Sequence, residues 1–257
     1  MNRLVPFLLL ALACLSSLPA RSQELVLTLS TREVAITSTY TGADVTAFGF
    51  IERDVRSVTR AAPFEIIATV QGPVGDIVVH KKGQLGPIWL TAARERFARI
   101  PTYFALLSAR PVGEMVTDET AQRLKLSLTD YLPPLDTLPV PEQAEQAEFR
   151  QALLRLRQEE GALVIDPKAI TMVRPNLFTA RVNVPGKAPV GLYVINVSVV
   201  SEGVVLRTSQ TGFVVRKVGF DAAVADAAKN RAPLYALATV LVAVLLGWVA
   251  NFAFRRD

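Results

Sequence analysis

Residues 24–51 run ELVLTLSTREVAITSTYTGADVTAFGFI. Leu25, Leu27 and Leu29 alternate with Val26, Thr28 and Ser30, the period of two that turns one face of a strand inward and the other outward. Val34 to Thr37 follows a short polar turn. Thr41-Gly42-Ala43-Asp44 makes the next turn, and Val45 to Ile51 forms another strand with Phe48 and Phe50 on one face. Outward from this stretch the pattern repeats. Phe64 to Val70 and Ile77 to Lys81 flank the break Gly72-Pro73-Val74-Gly75, and Ile88-Trp89-Leu90 and Tyr103 to Leu107 close the set. About seven short strands spaced by about ten residues predict an immunoglobulin-like β-sandwich over residues 23–116.

Residues 117–162 read as a helical segment. Ala121, Leu124, Leu128 and Leu132 share one helical face, with Thr117 or Asp118 as its cap, until Pro133-Pro134 ends it. Pro141 starts a second helix on which Phe149, Leu153 and Leu156 recur, and Gly161 stops it. The mixed Glu and Arg residues on its other sides read as a solvated face. Residues 163–220 return to β as a second, smaller α+β module packed with the helices or on the first. Its strands are Leu163 to Ile165, Leu177 to Val184, Gly191 to Val200 and Val204 to Val215, with turns at Pro185-Gly186 and Glu202-Gly203. The alanine-rich residues 221–231 read as a helical stalk.

The two ends carry the excess apolarity of a chain that is 51% hydrophobic and 20% charged. A short positive start, the apolar run Leu4 to Leu18 and the small residues Ala20 and Ser22 predict a signal peptide over residues 1–22. Leu12-Ala13-Cys14 offers a weaker lipoprotein alternative. Ala232 to Phe254 holds one strongly polar residue, Asn251, and is long enough to cross a hydrocarbon core of about 30 Å. Pro233 sits in its first turn, and Tyr235 and Trp248 lie toward its ends as interfacial aromatics do. Lys229 and Arg231 before the span balance Arg255 and Arg256 after it, so orientation follows from the signal peptide. The expectation is a bacterial inner-membrane protein with an exported domain, residues 232–254 in the bilayer and residues 255–257 as a cytoplasmic tail.

Composition excludes several classes. Setting aside Arg3, Arg21, Arg255, Arg256 and Asp257 reduces the formal net charge from +5 to near +2, and the basic clusters lack a stacking platform, so no nucleic-acid partner is expected. Cys14, within the predicted signal peptide, is the one cysteine, so no disulfide framework or cysteine metal site is available. A thiol-free exported domain points to a periplasm. His80 is the one histidine and precedes Lys81-Lys82, a surface or strand-edge setting without the carboxylate and nucleophile a triad needs. The chain is therefore expected to be non-catalytic, without cofactor or metal. Trp89, Tyr103 and Tyr193 are read as core. The candidate helix-packing site is the stripe Ala243, Gly247 and Asn251, spaced by four, where small residues admit a second helix and a buried amide can bond across.

Gly86-Pro87-Ile88-Trp89, Tyr103-Phe104-Ala105 with Ser108-Ala109-Arg110-Pro111, and Leu177-Phe178 stand in order. They are followed by Pro189 to Val194, Lys217 to Asp221, Pro233-Leu234-Tyr235 and Gly247-Trp248. On these motifs the chain resembles the putative transmembrane protein family of alphaproteobacteria, a family without an assigned activity. The resemblance implies a multi-pass permease of the sulfite-exporter type as partner, beside the membrane bilayer itself. The function expected is that of a non-catalytic accessory or interaction subunit; the alternative is a membrane-tethered periplasmic module that binds a small ligand.

Overall fold

The computed structural model describes residues 25–37, 39–52, 63–137 and 139–254. The expected signal peptide, Cys14 and the tail 255–257 lie outside them.

The chain is mainly β, with twelve strands among the described residues. They are β1 (Leu25–Leu29), β2 (Glu33–Ile36), β3 (Gly42–Ile51), β4 (Glu65–Gln71), β5 (Val74–Leu85) and β6 (Ile88–Pro101). Then follow β7 (Phe104–Ser108), β8 (Leu163–Asp166), β9 (Ile170–Arg174), β10 (Leu177–Pro185), β11 (Gly191–Ser201) and β12 (Val204–Lys217). Two sheets, in the orders β1-β3-β10-β9 and β2-β12-β11-β4-β7-β8, share one core. The first contributes Val45, Ala47, Ile51, Phe178, Ala180, Val182 and Val184. The second contributes Ile66, Ala68, Val70, Ala105, Leu107, Ile195, Val197, Val199, Phe213 and Val215. These residues alternate along their strands, as a sheet with one buried face requires. Phe48 and Phe50 take the other phase of β3: they face outward and are 39% and 44% exposed, while Val45, Ala47 and Ile51 fill the core.

The expected boundary between a sandwich at 23–116 and a separate module at 163–220 does not hold. β10 pairs with β3 from Leu177↔Phe50 to Pro185↔Gly42, β11 pairs with β4 from Val194↔Gln71 to Val200↔Glu65, and β2 lies parallel to β12. Each sheet thus contains strands from both halves, joined at β3-β10 in the first and at β2-β12, β11-β4 and β7-β8 in the second. The physical reason is burial: β3 and β4 carry core residues that neither half alone has enough partner strands to cover.

Between the halves, the single helix expected from Thr117 to Leu132 is broken. Only α1 (Asp118–Arg123) is α-helical, capped by the Thr117 side chain, and a 3₁₀ turn follows at Leu128–Tyr131. Lys125, at φ +51°, interrupts the two and lets Leu126 and Leu128 turn inward. With Met115 and Val116 these cover the outer face of the second sheet over Ile67, Phe104, Leu106 and Val200. Every residue of β7 is therefore buried. The second helix, α2 (Val140–Glu159), buries Phe149 and Leu153, but Leu156 stays 39% exposed. Gly161, at φ +68°, ends it as expected. α3 (Phe220–Asn230) and α4 (Ala232–Phe254) complete the chain as stalk and candidate span.

Candidate functional site

One end of the second sheet gathers the features that can meet a partner. Gly191, the first residue of β11, pairs with Val215 near the end of β12, and Val194 pairs with Gln71 at the end of β4. Gly191 lies against Pro73: a Cβ there would come 2.9 Å from the proline Cβ. The chain thus leaves β4 for β5 at the same end at which it leaves β12 for α3.

β5 and β6 form a two-stranded ribbon of 12 and 14 residues that joins neither large sheet. Its lower half is braced. Val79, Phe97 and Ile100 pack on Leu132 and on Phe149 and Leu153 of α2. Lys81 Nζ pairs with Glu148 at 2.8 Å, and Gln146 Nε2 donates to Glu95 at 2.9 Å. At the base, Asp76 accepts from the Arg96 guanidinium and, at 3.0 Å, from the Arg99 N–H; these bonds hold its carboxyl below the usual aspartate range. A register shift between Gly75 and Ile77 places Arg99 at φ +57°, a bulge that re-aims the strand.

Beyond Lys81 and Ala93 nothing among the described residues covers the ribbon. Gly86, at φ +61°, takes the first central position of the turn as primed hairpin turns allow, and Pro87 takes the second. Around this turn Ile88 is 59% exposed, Trp89 65% and Leu90 48%. Trp89 is therefore not core, contrary to the sequence reading. Tyr103 and Tyr193 are core: Tyr103 Oη donates to Asn183 O at 2.7 Å and Tyr193 Oη to Pro189 O at 2.9 Å. Their rings lie 5.5 Å apart, and Phe213 stacks on Tyr193 at 5.1 Å. Burial pushes both phenols well above the ordinary tyrosine range.

α4 places Ala243, Gly247 and Asn251 along one stripe, all exposed, with nothing among the described residues within 4 Å of a Cβ built on Gly247. Its window Ala232–Phe252 has a mean hydropathy of 2.1 and no part of it is buried against the domain. Twenty-one residues rise about 32 Å, enough for a bilayer core. Trp248 stacks on Phe252 on another side of the helix.

His80 is exposed on β5, opposite Arg94. An open cleft beside β7 is lined by Glu65, Arg110, Glu114 and Glu202, with Arg110 paired to Glu65 and, at 3.7 Å, to Glu114. Through these two pairs Arg110 ties β4 to the segment that covers the sheet. Among the described residues no group of His, Cys, Asp or Glu is placed to hold a metal ion.

The stripe named from the sequence lies exposed on α4, whereas the exposed ribbon tip was not named from the sequence. The available signal was Gly86-Pro87 flanked by apolar residues on both sides, a turn that leaves its neighbours at the far end of a hairpin. No curated protein and no solved structure matches the chain. The family model described as Putative transmembrane protein (Alph_Pro_TM) matches residues 24–256, which takes in both sheets, the ribbon and the span, and the chain belongs to that family.

Proposed function

We propose that the chain is a single-pass inner-membrane protein that carries its β-rich domain in the periplasm and serves as a non-catalytic accessory subunit. The observation that supports this best is the isolation of α4: a helix apolar on all sides and packed on no part of its own domain is open to another membrane protein. Helix pairing in lipid draws on close packing and polar contacts, which the stripe Ala243, Gly247 and Asn251 supplies. The partner implied by the family resemblance is a sulfite-exporter-type multi-pass permease.

Two measurements test the proposal. A reporter active only in the periplasm should work when fused after Val215 and stay silent when fused after Asp257. After solubilisation of native membranes in mild detergent, such a permease should co-purify with the chain at a fixed ratio. The reversed reporter pattern would overturn the orientation, and a clean monomer would overturn the subunit role.

A further inference from the structure

We infer that the tip of the β5–β6 ribbon is a second membrane contact, seating Trp89, Ile88 and Leu90 in the headgroup region of the bilayer that α4 crosses. This rests on α4 as a span and is independent of the accessory role and of which side the domain occupies.

Three observations carry it. The first is placement. Ribbon and stalk leave the same end of the second sheet, so the ribbon is rooted at the end from which the chain runs to the membrane. The second is reach. The 11 residues of α3 rise about 16 Å. Val218 and Gly219 before it and Arg231 after it add at most about 3.5 Å each. The 12 residues of β5 span roughly 36–40 Å. The ribbon is therefore longer than the link that sets the distance from domain to bilayer.

The third is chemistry. Successive strand residues point to opposite faces, so Trp89 projects on one side of the ribbon and Ile88 and Leu90 on the other. Such a wedge is apolar on both faces and cannot be covered by laying one face on a protein surface. A lipid interface surrounds it from all sides, and tryptophan is enriched there because its ring is apolar with one polar N–H. Below the wedge the ribbon is basic: Lys81, Lys82, Arg94, Arg96 and Arg99 stand against Asp76 and Glu95. Lys82 donates to the Thr91 hydroxyl at 3.1 Å, and neither Lys82 nor Arg94 has an acidic partner among the described residues. Cations set just behind an apolar wedge suit anionic headgroups.

The chain has two tryptophans, Trp89 and Trp248, so Trp248→Phe leaves Trp89 as the single indole reporter. The full-length variant is reconstituted into phosphatidylethanolamine–phosphatidylglycerol vesicles, with and without brominated acyl chains. Seated in lipid, Trp89 should emit at a shorter wavelength than an exposed indole, lose most of its emission to brominated lipid and resist aqueous acrylamide. Adding Ile88→Asp and Leu90→Asp should reverse all three changes and leave the unfolding midpoint unchanged. Emission that acrylamide quenches and brominated lipid does not would overturn the inference. So would shielding that varies with the protein-to-lipid ratio but not with bromination, which would mean a second copy covers the tip. Lipid quenching that survives the two aspartates would overturn it as well. Carbonate extraction of the same vesicles separates the two readings: a chain that washes off refutes the span itself, and the tip contact with it.

Discussion

Gly49 has no room for a side chain. A Cβ there would sit 2.0 Å from Phe178 Cζ, because the fully buried Phe178 ring lies flat over β3 at its register partner. Gly49→Ala should therefore cost about 1–3 kcal/mol through overpacking, read as a lowered thermal midpoint. The two buried phenols make a second test. Burial favours their neutral form, so the folded chain keeps protons that the unfolded chain gives up above about pH 10. Their contribution is complete below that pH and is lost as pH rises beyond it. Alkaline titration followed at the tyrosinate absorbance should show Tyr103 and Tyr193 ionising only together with unfolding. Separate ionisation in a folded chain would contradict their burial.

At the scale of elements, what holds the ribbon is α2. Leu153→Ala empties the centre of that contact and should cost about 2–5 kcal/mol, with faster amide exchange along β5 and β6. Trp89 is 65% exposed and belongs to no core cluster, so Trp89→Ala should shift stability by no more than about 0.5 kcal/mol. On α4, Gly247→Leu fills the groove a second helix needs, and Asn251→Leu removes one amide bond worth roughly 0.6–2 kcal/mol. Partner recovery should fall more for Gly247→Leu than for Asn251→Leu and hardly at all for Leu241→Ala. Equal recovery of all three would leave α4 as a plain anchor. The same elements show what the sequence made legible. β1, β10 and β12 could be read because one buried face imposes alternation, and α4 because lipid demands an unbroken apolar run. The long ribbon could not. Both faces of β6 meet solvent from Ile88 to Ala92, and farther along the face that α2 covers carries the charged Glu95, so no apolar period of two survives there. Trp89 was placed in the core for the same reason: composition tells that an indole is large and apolar, not that the turn beside it carries it away from the sheets.

For the whole molecule, the exchange of strands between halves makes the domain indivisible. A chain cut between Val116 and Thr117 should yield two fragments that are each insoluble or unfolded by circular dichroism, because β3 and β4 lose β10 and β11. A folded 23–116 fragment would restore the two-module description. Sequence could not show this, since alternation states that a strand has an inner face and not which distant strand lies beside it. The edge strand β2 adds a matter of timing. Its Glu33 is paired with Arg216 across 183 residues of chain, and the pairing is parallel. At about 5–20 residues per second, roughly ten to forty seconds of synthesis separate the two partners. During that interval the N-terminal strands have open edges and uncovered apolar faces, the condition in which chains aggregate. The last strand to arrive stands directly before the stalk and span. Completion of the fold and arrival of the anchor are therefore nearly one event.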